Sequence, residues 1–206
     1  STDPTTTMAR RGTPIIVTLT GSPCSGKSAS LPFIRQKLSD LGYFVIIVPE
    51  AATNVLNAER SDLCLQSRIL SEQRRLESCA EATLRRVMNN IDAQIVIIKD
   101  RCAADGLAFT TREDWIKLGG PFDQQSVQAE AGDIILMLET APYRSYEYGP
   151  QCENPMRYHN HEQALQVQRR LHDLYSGLEN TVFRVVRSTP CPIDKSNCAA
   201  AEVARS

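Results

Sequence analysis

The stretch Pro14–Ser28 reads PIIVTLTGSPCSGKS and combines two patterns that together indicate the architecture of the chain. Its first part, Pro14–Thr20, is a short apolar run rich in β-branched residues, which is typical of a buried strand. Its second part, Gly21–Ser28, fits the pattern G-x-x-x-x-G-K-[ST] at every position. An amphipathic helix pattern follows directly. The stretch therefore has the strand, loop and helix that a phosphate-binding loop requires, which a chance match in a glycine- and serine-rich turn would not supply.

The composition of this loop explains how it would hold a polyphosphate. Glycines at both ends let the backbone curl so that successive N–H groups face the anion, and the following helix adds the positive end of its dipole. Lys27 would reach the β- and γ-phosphates, and the Ser28 hydroxyl would ligate Mg²⁺. The residues expected to contact the nucleotide are Gly21, Ser22, Pro23, Cys24, Ser25, Gly26, Lys27, Ser28 and Ala29.

Further apolar runs follow the first one along the chain, and such continuous runs suit a sheet that is covered on both faces. The predicted strands are Pro14–Thr20, Tyr43–Val48, Gln94–Ile98, Asp133–Leu138 and Thr181–Val186. Helical periodicity occupies the intervals, at Ser28–Leu41, Ser61–Asn90 and Ala164–Leu178. Strands that alternate with helices predict an α/β fold with a parallel sheet and right-handed crossovers.

Length and charge restrict the class of protein. A chain of 206 residues suffices for one domain of ordinary size and is too short to assume two catalytic domains. The net charge of -1 argues against a broadly basic face for nucleic acid. No apolar run approaches the roughly 20 residues that span a bilayer, and the seven cysteines include no C-x-x-C pair, which favours free thiols. We therefore expect a cytoplasmic protein, with the nucleus as the alternative.

The expected domain spans residues 13–195, with residues 1–12 as a disordered arm or tag remnant and residues 196–206 as a tail. The stretch before the last predicted helix is aromatic, polar and rich in turn residues. We therefore expect a lid at about 141–178, in which Arg157 would close over the triphosphate. A solvent-facing helical hairpin with ordinary surface aromatics is the alternative.

Charged residues follow the second and third predicted strands. Because ligands bind outside the carboxyl ends of parallel strands, Glu50, Asp100 and Arg101 are expected near the phosphate loop. Asp100 would complete the Mg²⁺ shell, Arg101 would neutralise charge on the transferring phosphoryl group, and Glu50 would accept a proton from an incoming hydroxyl. The alternative is a loop carboxylate and a surface ion pair, which the position directly after buried strands disfavours.

The same motifs carry a family resemblance. The segments concerned are GSPCSGKS, PEAAT, LQSRILSEQRRLE, KDRCAADGLAF and ENPMRYH with the helix that follows it. Over roughly residues 14–190 the chain resembles the NadR-like and TRPL-translocation-defect-like ATPase family of P-loop proteins, and more distantly the deoxynucleoside and thymidylate kinases. The resemblance matches Asn154 and Arg157 to the lid, Glu50 to the acid of the second strand, and the Asp100-Arg101 dipeptide to the D-R pair.

This resemblance implies a P-loop NTPase fold of three layers, α/β/α, with a five-stranded parallel sheet in the order 2-3-1-4-5 and a helical lid. It implies that the phosphate loop binds ATP or GTP. Together with the motifs, it predicts Mg²⁺-dependent binding of a purine nucleoside triphosphate and phosphoryl transfer to a small, nucleoside-like hydroxyl acceptor.

The alternative function is a GTP- or ATP-dependent regulatory switch with slow hydrolysis, which recruits a protein or an anionic lipid. Glu50 with the D-R pair favours the kinase, since a switch needs a water-positioning group instead. Three polar residues share one side of the predicted long helix, near the expected acceptor: Gln66, Gln73 and Glu77. Helix solubility explains these three equally well.

Overall fold

A computed structural model describes residues 13–55, 63–143, 160–187 and 192–205, apart from the side chains at 63, 64 and 192–196. Its strands are β1 (Ile15–Gly21), β2 (Phe44–Val48), β3 (Ile95–Asp100), β4 (Ile134–Leu138) and β5 (Val182–Val186). They form one five-stranded parallel sheet in the order β2-β3-β1-β4-β5. The predicted sheet and its strand order are confirmed.

Helices connect the strands. They are α1 (Lys27–Asp40), α2 (Ala51–Val55), α3 (Leu63–Val87), a 3₁₀ helix (Ala103–Ala108), α4 (Arg112–Lys117), α5 (Gln124–Ala131), α6 (His161–Tyr175) and α7 (Pro192–Ala204). The helices α4, α5 and α6 begin at side-chain caps, since Thr111, Asp123 and Asn160 each accept a hydrogen bond from the backbone N–H three residues on. The short helix α2 was not predicted.

The helices cover both faces of the sheet, which gives the three layers. The strand β4 is apolar at every position because both of its faces are buried. Leu136 packs into the core cluster on one face of the sheet, and the adjacent Ile135 packs into the cluster on the other. On the first face lie α1 and α7, which contribute Ile34 and Val203. On the second lie the 3₁₀ helix, α5 and α6, and α3 covers β2 and β3.

The C-terminal residues differ from the tail expected at 196–206. The helix α7 lies against α1, and its Ala199, Ala200 and Val203 are buried in the same cluster as Leu38. Alanine is nearly neutral in a hydrophobicity pattern, so the sequence carries little sign of this burial. Small side chains nevertheless let the two helices approach closely. The packed core therefore continues past residue 195.

Part of the expected lid at 141–178 lies outside the described ranges, and so does the whole of the expected arm at residues 1–12. Residues 144–159, which include Asn154 and Arg157, are not described. The described helical half of the expected lid is α6, and its Val167 and Leu171 are buried against the sheet. Thus α6 belongs to the layer that covers the sheet.

Within the described ranges, no helix combines the length and apolarity needed to cross a membrane.

Candidate functional site

The phosphate loop leaves the carboxyl end of β1 and runs into α1, as the sequence predicts. Its glycines are required by geometry. Gly26, the N-cap of α1, has φ 85°, in the left-handed region that side chains disfavour. At Gly21, which has φ 148°, an added Cβ would lie 2.5 Å from the carbonyl oxygen of Leu138. The tight turn and the close approach to β4 therefore both depend on the absence of a side chain.

Lys27 is buried at the start of α1 and reaches back over the loop. Its Nζ donates a long hydrogen bond, 3.4 Å, to the carbonyl oxygen of Gly21. Burial lowers the pKa of Lys27, and repulsion from Arg101 lowers it further, while Glu50 and nearby aspartates oppose both effects. A buried ammonium held this weakly gains a strong partner when a polyphosphate enters the loop.

Asp100 ends β3 beside the phosphate loop, in register with Leu19 of β1. Its side chain is buried, and within the described part of the chain Oδ1 has no hydrogen-bond partner. Burial raises the pKa of Asp100 above its ordinary value, although Lys27 counteracts this. A buried, unpartnered carboxylate oxygen is costly unless a cation joins it.

A divalent cation fits this position. Ser28 and Asp100 line the same groove, which has a volume of about 460 Å³ and lies beside α1. A hydroxyl and a carboxylate are oxygen ligands of the kind that Mg²⁺ prefers. Among the described residues there is no cluster of three or more His, Cys, Asp and Glu side chains that could hold a metal alone. Mg²⁺ needs no such cluster, because it usually keeps several waters and shares substrate phosphates.

Glu50 and Arg101 form an ion pair at the same edge of the sheet. Nε of Arg101 lies 2.8 Å from Oε1 of Glu50, and Thr53 donates a hydrogen bond to the other carboxylate oxygen at 3.0 Å. Burial alone would raise the pKa of Glu50, but the Arg101 guanidinium, together with Lys27, lowers this pKa to about 2. Glu50 is therefore ionised at neutral pH and is a weak base.

The backbone of Arg101 is unusual, with φ 71° in the left-handed region. Hydrogen bonds hold it there, because its N–H donates to the carbonyl of Leu19 at 3.0 Å and its own carbonyl accepts from Gln73 at 3.1 Å. The guanidinium also pairs with Asp105 at 3.2 Å and lies 4.9 Å from the centre of the Phe109 ring. The turn thus directs this side chain back across the edge of the sheet.

The structure places four of the predicted residues close enough for Coulombic interaction with one another: Lys27, Glu50, Asp100 and Arg101. Of the polar residues predicted on α3, Gln73 reaches Arg101, whereas Glu77 pairs with Lys99 at 3.1 Å. The fifth predicted catalytic residue, Arg157, lies outside the described ranges.

Sequence reasoning missed Asp105. It is buried in the 3₁₀ helix and accepts hydrogen bonds from Thr20, Arg101 and Tyr175. The one local signal is an acid four residues after Arg101, which a helical turn brings back toward it. Thr20 and Tyr175 come from distant parts of the chain, so no local pattern connects them to the site.

Sequence reasoning also missed a connection between the phosphate loop and α6. The Ser22 and Thr140 hydroxyls are hydrogen-bonded at 2.6 Å, and Thr140 donates to Oε1 of Gln168 at 2.6 Å. Ser22 belongs to the loop, Thr140 follows β4, and Gln168 lies in α6. The loop is therefore tied to the helix that follows residues 144–159.

A known protein family matches most of the chain. The sequence model of the family described as AAA domain matches residues 16–190, a range that includes the phosphate loop, Glu50 and the D-R pair. No curated protein matches the chain.

Proposed function

The chain belongs to this AAA domain family, and we propose that it is a phosphotransferase that uses ATP or GTP with Mg²⁺ to phosphorylate a small, nucleoside-like hydroxyl acceptor. Membership by itself implies nucleotide binding with hydrolysis or phosphoryl transfer. One observation carries the finer proposal: the Glu50–Arg101 ion pair lies at the same edge as Lys27 and Asp100. An acceptor hydroxyl needs such a carboxylate and cation beside the transferring phosphoryl group.

In this proposal the nucleotide phosphates bind the backbone N–H groups of the loop and the Lys27 ammonium. Ser28 and Asp100 hold Mg²⁺, which supplies charge neutralisation at the phosphates when it is bound. The buried Oδ1 of Asp100, without a hydrogen-bond partner among the described residues, supports this role. Lys27 and Asp100 are both unfavourably buried, and each would gain a partner of opposite charge if nucleotide and Mg²⁺ were bound.

Arg101 stabilises negative charge on the phosphoryl group, and Glu50 orients the acceptor hydroxyl. The acceptor oxygen bonds to the γ-phosphorus as the bond between that phosphorus and the bridging oxygen breaks. The hydroxyl proton passes to Glu50. A carboxylate with a pKa of about 2 is too weak a base to remove this proton in advance. The loose transition state of phosphoryl transfer does not require early removal, so a weak base suffices.

A second candidate function is a nucleotide-dependent switch with slow hydrolysis, which recruits a protein or an anionic lipid. The hydrogen bonds from Ser22 through Thr140 to Gln168 favour the switch, because they would transmit a movement of the phosphate loop to α6. A switch, however, leaves the Glu50–Arg101 pair without an acceptor to orient.

The test is a turnover assay with ATP and with GTP, in the presence and absence of Mg²⁺ and of a panel of nucleosides. The kinase predicts that one nucleoside accelerates release of nucleoside diphosphate and gains one phosphate by mass spectrometry. Slow hydrolysis that no acceptor accelerates would instead select the switch. Lys27→Ala, assayed in parallel, shows whether the turnover belongs to this site.

A further inference from the structure

Asp105 is a buried carboxylate to which the proposed chemistry assigns no step. Its side chain is 3% exposed, and it lies in the 3₁₀ helix that follows the D-R pair. Oδ1 accepts a hydrogen bond from the Tyr175 hydroxyl, and Oδ2 accepts from the Thr20 hydroxyl at 2.7 Å and from Nη1 of Arg101 at 3.2 Å. These donors come from α6, β1 and the end of β3, so the carboxylate joins three separate parts of the fold.

The Arg101 guanidinium is held on two sides. Glu50 accepts from Nε at 2.8 Å, and Asp105 accepts from Nη1. No hydrogen bond from Nη2 of Arg101 to another described residue accompanies them. A guanidinium is planar and presents its five N–H groups in a rigid fork. When two of its nitrogens are fixed by carboxylates, the direction of the third is fixed as well.

Two of the hydrogen-bond partners of Asp105 lie in the packed interior. Thr20 and Tyr175 are fully buried, and the Tyr175 hydroxyl also contacts the Cys102 thiol at 3.3 Å. Burial of the Tyr175 ring among apolar residues of α6 and the sheet fixes the position of its hydroxyl. The Asp105 carboxylate therefore has a defined place before any ligand arrives.

We propose that Asp105 is a positioning residue for phosphoryl transfer: together with Tyr175 and Thr20, it orients the Arg101 guanidinium so that Nη2 faces the transferring phosphoryl group. This inference rests on the proposed function for its consequence in catalysis. The orientation of Arg101 itself does not depend on that function. A displacement of about 1 Å at a reacting group can cost roughly 100-fold in rate, so the loss of this support should be measurable.

The alternative is that Asp105 is only a satisfied polar group of the core. Both roles predict some loss of stability on substitution, so stability cannot separate them. They differ in kinetics, since a positioning role lowers kcat with little change in the KM for nucleotide. They differ also in the mobility of the Arg101 guanidinium, which a purely structural role would leave unchanged.

The experiment compares the full chain with Asp105→Asn and Tyr175→Phe, and with Asp173→Asn as a matched control. Asp173 is a carboxylate whose side chain is 84% exposed on α6, so its removal changes the net charge equally without touching the site. Asp105→Asn retains the shape of the side chain and removes its charge. Tyr175→Phe retains the ring and removes the hydroxyl that holds the carboxylate.

Two measurements are made on each folded variant. The first is acceptor-dependent turnover, for which we expect kcat to fall about 100-fold in Asp105→Asn and less in Tyr175→Phe, with the nucleotide KM within about twofold of the original. The second is the nitrogen-15 NMR signal of the Arg101 Nε–Hε group, assigned through Arg101→Lys. We expect slow rotation of the Arg101 guanidinium in the original protein and in Asp173→Asn. We expect faster rotation in the two site variants, Asp105→Asn and Tyr175→Phe.

Unchanged guanidinium rotation in both site variants would overturn the proposal, as would an unchanged kcat in an Asp105→Asn protein that turns over its substrate. If the original protein shows no acceptor-dependent turnover, the proposed function fails. The NMR measurement then still decides whether Asp105 orients Arg101, because it requires neither nucleotide nor acceptor.

Discussion

Nε of Arg101 lies 2.8 Å from Oε1 of Glu50. This ion pair joins the residue that follows β3 to the residue that precedes α2. The two residues stand 51 positions apart in the chain. The neighbouring strands β2 and β3 bring them together, since both are parallel and both end at the edge where the phosphate loop lies.

Glu50→Gln should spare nucleotide binding and reduce acceptor phosphorylation by about 10²- to 10⁴-fold, the usual contribution of a positioned proton acceptor. The glutamine retains the size of the side chain but cannot take the proton. Nucleotide affinity by calorimetry and product formation by mass spectrometry are the two measurements. Full transfer in this variant would remove Glu50 from the proton-accepting role.

The difference in stability between the original protein and this variant should depend on pH. Arg101 lowers the pKa of Glu50 from 4.5 to about 2 in the folded protein, so the ionised carboxylate stabilises the fold above pH 4.5. That contribution is lost as the pH falls from 4.5 towards 2. The difference in the free energy of unfolding between the original protein and Glu50→Gln should therefore be largest near neutral pH and shrink below pH 4.5, as urea titrations at several pH values would show. A constant difference would contradict the assigned cause.

Lys27→Ala should weaken nucleotide binding by about 30-fold or more, since truncation of one partner of a buried charge pair costs about 2–5 kcal/mol and each 1.4 kcal/mol is tenfold in affinity. Lys37→Ala is the matched control, because Lys37 lies in the last turn of the same helix and is exposed. The control should bind nucleotide like the original protein. Equal affinities in the two variants would show that nucleotide does not bind at the phosphate loop.

Asp100→Asn should raise the thermal stability of the nucleotide-free protein and weaken its Mg²⁺-dependent nucleotide binding. The cause of both is the buried carboxylate, which destabilises the fold when it lacks a partner and attracts the cation when one is present. Thermal unfolding with and without EDTA, and nucleotide titration across Mg²⁺ concentrations, measure the two effects. Asp40→Asn, at the exposed end of α1, should change neither quantity.

Gly106→Ala should destabilise the fold by about 1–3 kcal/mol, the usual cost of overpacking. An added Cβ at Gly106 would lie 2.1 Å from the ring of Trp115, which is buried. Gly177→Ala is the control, because nothing lies within 4 Å of its added Cβ. Trp115 is the single tryptophan of the chain, so its fluorescence reports unfolding directly. Equal stability in the two variants would show that Trp115 does not pack against Gly106.

Ala199→Asp should prevent stable folding or cost several kcal/mol, because it places an unpaired charge between α7 and α1. Cys198→Asp introduces the same charge at the adjacent, exposed position and should be tolerated. Chemical denaturation of both variants measures the effect. If Ala199→Asp were as stable as Cys198→Asp, α7 would not be part of the core.

Local pattern was sufficient to predict the elements that carry the site. The apolar runs, the phosphate loop and the charged residues that follow β2 and β3 are each contained in a few consecutive residues. Their common edge then follows from the rule that parallel strands end on the same side of a sheet. Packing between alanines does not leave such a pattern, which is why the burial of α7 was not foreseen.

Local sequence patterns were enough to predict the five-stranded parallel sheet, the phosphate loop and the proximity of Lys27 to the Asp100-Arg101 pair. The hydrogen bonds that hold the Arg101 guanidinium, by contrast, exist only in the folded chain. Asp105 joins Thr20 across 85 positions and Tyr175 across 70, and neither contact has a local period or motif. The two contacts have no local signal because a hydrogen bond needs its two atoms within about 3 Å, and the packing of distant helices and strands brings the atoms to that distance.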